Sequence, residues 1–262
     1  MKVVTTTSLA RLKEAGEKIT MVTGYDYPGA RLLDASGIDI ILVGDSVGVV
    51  VAGYKDTLPV TVDEMIYHGR AVVRGTERAL VLIDMPFMSY QVSRPEARRQ
   101  AGRIMKETGA AAVKLEGGAE MAATIRSLVE IGIPVCGHIG LTPQAVNQLG
   151  GFKVQRERER LLKDAAAVAA AGAFALVIEC VPAEIAAEIT RSIEIPTIGI
   201  GAGPDCDGQV LVFHDMLGLF DRFRPSFVKQ YANLGDEIRK ALDNYRREVK
   251  EGTFPGPEHT FK

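Results

Sequence analysis

Eight short runs of Val, Ile and Leu, each closed by glycine or a polar residue, govern what this chain can fold into. They are ITMVTGYD (19–26), IDIILVGDS (38–46), ALVLIDMPF (79–87), AAVKLEGG (111–118), IPVCGHIG (133–140), FALVIECV (174–181), PTIGIGAG (196–203) and QVLVFHDM (209–216). Continuous apolar runs of this length fit strands buried on both faces, as in a parallel sheet. Helical patterns fill most of the gaps. Tyr27 to Ser36 ends at Gly37, a natural C-cap. Thr61 to Gly75 opens with Thr61 and Glu64 at capping-box spacing. Pro95 to Thr108 begins with proline in the first turn and stops at Gly109. Ala119 to Ile131, Arg158 to Ala171, Pro182 to Ser192 and Asp236 to Lys250 follow. Strand and helix alternating about eight times predict an α/β fold, a (β/α)8 TIM barrel, as a single domain over residues 1–262. A helix precedes the first strand, and the tail after Gly252 is expected to be loosely ordered. An open doubly wound sheet is the structural alternative. The pattern is weakest from Asp45 to Ala79, from Leu141 to Gln155, and in the short gap before the last strand.

Size and charge narrow the class. The chain has 262 residues, 47% of them hydrophobic, enough for one large core. A net charge of −2 favours neither nucleic acid nor an anionic membrane. Arg156 to Arg160 alternate with Glu157 and Glu159, as on a solvated helix start. Cys136, Cys180 and Cys206 form no CxxC pair, which argues against a disulfide framework or a structural zinc site. The N-terminus lacks the apolar core of a signal peptide, and no stretch is long enough to span a membrane. A cytoplasmic protein is expected.

Polar residues gather where the predicted strands end. Asp45 and Ser46 close the second run, Asp84 the third, Lys114 and Glu116 the fourth, His138 the fifth, Glu179 the sixth, and His214 and Asp215 the eighth. Barrel enzymes build their active sites at this face. Asp84 interrupts an apolar segment, so its charge needs a partner. Three acids, Asp45, Asp84 and Glu116, make an oxygen-rich site suited to Mg²⁺, with Asp84 and Asp45 nearest the metal and Glu116 further out. Lys114 lies two residues from Glu116, on the same strand face, and can hold a substrate carboxylate or steady a forming enolate. His138, one of four histidines, fits either a core position or a ligand site. Glu179 has apolar neighbours, and desolvation would raise its pKa toward that of a general base. Each of these acids read alone could equally be a salt-bridged carboxylate.

Common nucleotide motifs fail. GVVVAGYK (48–55) has Tyr54 where a phosphate loop needs lysine, and GIGAGP (199–204) breaks GxGxxG at Pro204. No HExxH occurs, and DCDG (205–208) is too short for a calcium loop and reads as a turn with Gly208 as pivot.

The segments GDSVGVVVAGY, IDMPFMSY, VKLEGG, GHIGLTPQ, VIECVP and GIGAGPDCDGQVLVFHDMLG closely resemble the ketopantoate hydroxymethyltransferase family, from Thr5 to about Lys250. The resemblance implies a (β/α)8 barrel of the phosphoenolpyruvate/pyruvate superfamily. It implies transfer of a one-carbon unit from the co-substrate 5,10-methylenetetrahydrofolate to 3-methyl-2-oxobutanoate, giving ketopantoate on the route to pantothenate and coenzyme A. Asp45 and Asp84 match the family's Mg²⁺ ligands, and Glu116 completes that site. Ser46 and Lys114 match residues that hold the keto acid, His138 lies near it, and Glu179 matches the proton acceptor. Asp45 and Asp84 would meet the substrate through the metal. Partners are then a small keto acid and a folate, in a homodecamer, with no nucleic acid or membrane. The nearest rival is an isocitrate-lyase-like carbon–carbon lyase of the same superfamily. Its Lys-Lys-Cys-Gly-His-like loop is not matched by VCGHIGLTPQ. A catalytically silent barrel is disfavoured by retention of Asp45, Asp84, Lys114, Glu116 and Glu179 together.

Overall fold

Alternation along the strands sets the architecture. In a computed structural model describing residues 2–261, eight parallel strands close into a barrel in sequential order, β1 next to β8. They are β1 (Ile19–Thr23), β2 (Ile40–Val43), β3 (Leu80–Asp84), β4 (Ala112–Glu116), β5 (Val135–Gly140), β6 (Ala175–Glu179), β7 (Thr197–Ile200) and β8 (Gly208–Leu211). Every second residue joins one interior cluster: Ile19 and Met21, Ile40 and Leu42, Leu80 and Leu82, then Ala112, Cys136, Ala175, Val177, Ile198 and Val210. The intervening residues, such as Ile41, Ile83, Val113 and Leu176, are also buried. Burial on both faces is why the runs read as continuously apolar. The closed order excludes the open sheet.

The helix Thr6–Ala15 precedes β1, and its Leu9, with Val4 before it, belongs to the interior cluster. It supplies an apolar plug beneath the strands. The predicted caps form. Thr61 and Glu64 make a reciprocal capping box on Val62–Arg74. Ser93 caps Arg94–Thr108, which ends at Gly109 in the left-handed conformation. Gly208 is the first residue of β8 rather than a turn pivot. A Cβ there would lie 2.5 Å from the Ile19 carbonyl oxygen, so glycine permits β8 to close against β1.

By its internal contacts the chain divides after Val212. The whole barrel lies in the first unit. In the second, the eighth apolar run departs from expectation. β8 stops at Leu211, and Phe213–Met216 turns into a short helix, so His214 and Asp215 do not end a strand. The amides of Leu217 and Leu219 donate back to the carbonyls of Phe213 and His214, bonds that an extended strand cannot make. The second unit is dominated by the helix Leu234–Glu251, none of whose residues is buried. Leu234, Ile238, Leu242, Tyr245 and Val249 form an exposed apolar stripe along it. After Gly252, the amides of Thr253 and Phe254 donate to the Glu248 carbonyl, and the Phe254 ring meets Tyr245 edge-on at 5.7 Å between centroids.

Candidate active site

The inward alternation that fills the barrel with aliphatic side chains changes chemistry at its last step. Above Leu80 and Leu82 on β3 comes Asp84. Above Ala112 on β4 come Lys114 and Glu116, above Cys136 on β5 comes His138, and above Ala175 and Val177 on β6 comes Glu179. The register pairs Asp84 with Lys114 across β3 and β4, and Glu116 with His138 across β4 and β5. Asp45 and Ser46 follow β2 after Gly44. Asp45, Asp84, Lys114, Glu116 and His138 are all buried, between 3% and 5% exposed, so their charges must be answered within the site.

Asp84 has two such answers. Its Oδ1 lies 3.1 Å from Lys114 Nζ, and its Oδ2 accepts from the Asp45 amide at 3.0 Å. Lys114 also donates to His138 Nδ1 at 3.0 Å. An imidazole that accepts at Nδ1 carries its proton on Nε2, which faces Glu179 Oε2 at 3.2 Å. A line of contacts therefore runs Asp84, Lys114, His138, Glu179 across four neighbouring strands. Burial, followed by the Lys114 charge, pushes the His138 pKa well below its ordinary value, so the ring is neutral. Burial alone would lower Lys114, but Asp84, Glu116 and Asp45 outweigh it and hold the ammonium charged.

Four carboxyl groups surround that one ammonium. Burial raises Glu179 to about 7, against the opposing pull of Lys114. Burial and then the Asp84 charge raise Asp45 to about 7, and Glu116 is raised well above its usual range, chiefly by burial. Gly140 allows the chain beside Glu179 to turn: it has φ +94°, and a Cβ there would stand 2.3 Å from the Glu179 carbonyl oxygen. Ser46 shares a hydrogen bond of 2.9 Å with the Tyr25 hydroxyl.

The three acids expected to share a metal are not gathered into a cage. Among the described residues, no three His, Cys, Asp or Glu side chains are so arranged. Glu116 is engaged elsewhere: its Oε2 accepts from the Gln144 amide at 3.0 Å, and its Oε1 lies 3.6 Å from His138 Nδ1. The donor set nonetheless fits Mg²⁺, a hard cation that takes one or two carboxylates from protein and keeps other positions for water and substrate oxygens. The observations in favour are the excess of buried carboxyl groups over ammonium and Asp84 Oδ1, which is buried and, apart from its ion pair with Lys114, makes no hydrogen bond.

Two residues here lay inside the recognised motifs but were not singled out. Tyr90 and Gln144 are buried beneath the loops after β3 and β5, and their polar atoms meet Glu116 and Asp45. A polar side chain on an otherwise ordinary loop has no periodicity to mark it; only its burial does. Gly199, Gly201 and Gly203 surround the end of β7, where Gly201 and Gly203 adopt positive φ.

The family model for ketopantoate hydroxymethyltransferase matches residues 3–257. The chain is 61% identical over 263 aligned positions to the 3-methyl-2-oxobutanoate hydroxymethyltransferase of Moorella thermoacetica, spanning 99% of this chain and 98% of that one. It is 60% identical over 264 positions to the protein of the same name from Heliobacterium modesticaldum, spanning 99% and 96%. Among solved structures, a 2,3-dimethylmalate lyase of the PEP mutase/isocitrate lyase superfamily superposes with a TM-score of 0.63 at 17% identity, over 98% of this chain and 93% of that chain. A phosphoenolpyruvate phosphomutase from Streptomyces platensis gives 0.62 at 16%, over 95% and 88%. At such identity these two likenesses speak for the barrel alone. The family match and the relatives at 60% identity carry more: the chain belongs to the ketopantoate hydroxymethyltransferase family.

Proposed function

We propose that the barrel transfers a hydroxymethyl group from 5,10-methylenetetrahydrofolate to 3-methyl-2-oxobutanoate, giving ketopantoate for pantothenate and coenzyme A synthesis. The observation that carries the chemistry is Glu179, a carboxylate with its pKa raised to about 7, joined through neutral His138 to the Lys114 ammonium. A base poised near neutrality can take a proton from carbon and hold it during turnover. Glu179 removes the C3 proton of the keto acid. Lys114, charged and preorganised, stabilises the negative charge that forms on the keto oxygen. His138, held in one tautomer by Lys114, presents Nε2 to the Glu179 carboxylate at 3.2 Å, with no hydrogen bond formed between them. Ser46 and Lys114 hold the substrate, and the enolate carbon forms the new carbon–carbon bond to the one-carbon unit of the folate; the carbon–nitrogen bonds of that unit break, tetrahydrofolate leaves with its nitrogens protonated, and water supplies the hydroxyl oxygen.

Asp45 and Asp84 are the residues that would hold Mg²⁺, with Glu116 beside them. When bound, the cation supplies Lewis-acid polarisation of the keto carbonyl, which acidifies the neighbouring C–H. The exposed apolar stripe on Leu234–Glu251 supports assembly into a homo-oligomer, for which the family resemblance suggests a decamer. No helix among the described residues is long and apolar enough to cross a membrane.

The test is proton NMR of 3-methyl-2-oxobutanoate in D₂O with protein and Mg²⁺, before and after adding tetrahydrofolate and formaldehyde. The C3–H signal is expected to disappear with metal alone, and ketopantoate to form once the donor is present. Absence of both, with turnover of isocitrate or methylisocitrate without folate, would favour the lyase.

A further inference from the structure

We propose that Gln144 is a positioning residue for this reaction: it sets the orientation of two site acids, Asp45 in the loop after β2 and Glu116 at the end of β4. The inference rests on the reading of the site given above and concerns a residue outside its acids and bases.

Gln144 sits in the short 3-10 turn Pro143–Ala145 after β5 and is 6% exposed. Both polar atoms of its side chain are engaged. Oε1 accepts from the Tyr90 hydroxyl at 2.8 Å and from Gln91 Nε2 at 3.1 Å. Nε2 donates to Asp45 Oδ2 at 2.8 Å and to the Met85 carbonyl at 3.0 Å. Its backbone amide donates to Glu116 Oε2 at 3.0 Å. One residue thus ties the ends of β2, β3 and β4 to the loop after β5.

The network admits only one direction. The Tyr90 hydroxyl accepts from the Glu116 amide at 3.1 Å, so its single hydrogen is free for Gln144 Oε1, the nearer of its two acceptors. The Met85 carbonyl can only accept. Turning the amide over would put an oxygen against that carbonyl and against Asp45, with both donors facing the tyrosine. Gln144 therefore presents donors to Asp45, and it does so because Tyr90 holds the other end. Asp45 Oδ2 and Glu116 Oε2 each have a fixed partner before any ligand arrives. Rotation of either carboxylate would break a buried hydrogen bond, so the acids meet a cation or keto acid already oriented. Supporting contacts of this kind typically affect ligand affinity by about 10- to 100-fold.

The experiment compares wild type, Gln144→Met and Tyr90→Phe. Mg²⁺ affinity is read by calorimetric titration without substrate, the KM and kcat of C3 deuterium exchange by NMR without folate, and folding by urea unfolding. Gln144→Met is expected to weaken Mg²⁺ and raise the keto-acid KM by about 10- to 100-fold. Exchange kcat at saturation should change by much less. Tyr90→Phe keeps the ring and the glutamine but removes the hydroxyl that directs the amide, so it should shift both constants in the same direction by a smaller factor. A drop in urea midpoint with Mg²⁺ affinity and KM unchanged in the folded variants would overturn the proposal and leave Gln144 a packing residue. Should Gln144→Met fail to fold, Tyr90→Phe decides by itself, and an unaltered Mg²⁺ affinity there overturns the directional argument. A wild type that neither binds Mg²⁺ nor exchanges C3–H would overturn the reading of the site itself.

Discussion

Glu179→Gln isolates the proton-transfer step. The amide is nearly isosteric with the carboxylate, and its oxygen can still face His138 Nε2, 3.2 Å away in the native site. Lys114, Asp84 and Asp45 are untouched, so keto-acid binding should survive. What is lost is a carboxylate whose pKa burial raises to about 7. General-base catalysis contributes about 10²- to 10⁴-fold, roughly 3 to 5 kcal/mol of barrier, and C3 exchange should fall by that factor. The wild-type pH profile supplies an independent check. The active form of Glu179 is the carboxylate, and a pKa raised from the usual carboxylate range to about 7 moves the falling limb to neutrality. About nine-tenths of the groups are ionised at pH 8 and about a tenth at pH 6, so exchange should fall roughly tenfold between them. Deuterium incorporation followed by NMR measures both, at saturating keto acid for the variant and as kcat/KM, which reports the free enzyme, for the pH profile. Exchange within a few-fold of wild type in the Gln variant, or a wild-type profile flat down to pH 5, would refute the assignment.

Three further outcomes are expected. Asp84→Asn leaves Lys114 without its nearest counter-charge and should weaken Mg²⁺ and keto-acid binding together by about tenfold or more, roughly 1.4 kcal/mol; an unchanged metal titration counts against the ligand role. Asp34 accepts from the amides of Glu77, Arg78 and Ala79, joining the helix Tyr27–Ala35 to the start of β3, so Asp34→Ala should cost about 1 to 3 kcal/mol in urea unfolding. Burial works against its charge, but those amides prevail and hold its pKa below 3.8; the stabilisation is therefore full above that value and lost as pH falls through the lower folded one. Sedimentation should show a species well above monomer mass, and Leu242→Asp, placing a charge in the exposed stripe of Leu234–Glu251, should reduce it.

The barrel was readable because each strand is buried on both faces, which leaves uninterrupted Val, Ile and Leu in the sequence. The site was readable for a related reason. Where inward positions turn from Leu82 to Asp84, or from Val177 to Glu179, a charge stands in an apolar run and calls for a partner. That logic says a partner exists but not which one. Asp84 was read as a metal ligand; the Lys114 ammonium and the Asp45 amide, which also stand against it, could not be named from the run itself. It also fails where polarity and strand end coincide by accident: His214 and Asp215 follow an apolar run as Glu179 does, but the backbone there has already turned helical. Gln144 and Tyr90 escaped because their significance comes from two loops converging, a tertiary fact with no local period.

The distribution of charge around the barrel bears on the substrate. Acid and base groups occupy one arc, from Asp45 after β2 through Asp84, Lys114, Glu116 and His138 to Glu179 on β6. The opposite arc is neutral: β7 ends in Ile200 and β1 in Thr23, and Gly201 and Gly24 follow them. Ile200 packs on the interior apolar cluster, so that side of the floor is hydrocarbon. A branched 2-keto acid is divided in the same way, with carboxylate and keto oxygen at one end and an isopropyl group at the other. On the mechanism proposed above, its polar end would lie against Lys114 and the acids, with C3 toward Glu179 and the methyl groups toward the neutral arc. The alternation that fills the barrel interior thus also builds the asymmetry of the site: β3, β4, β5 and β6 carry ionisable inward residues at or near their ends, and β1 and β7 do not.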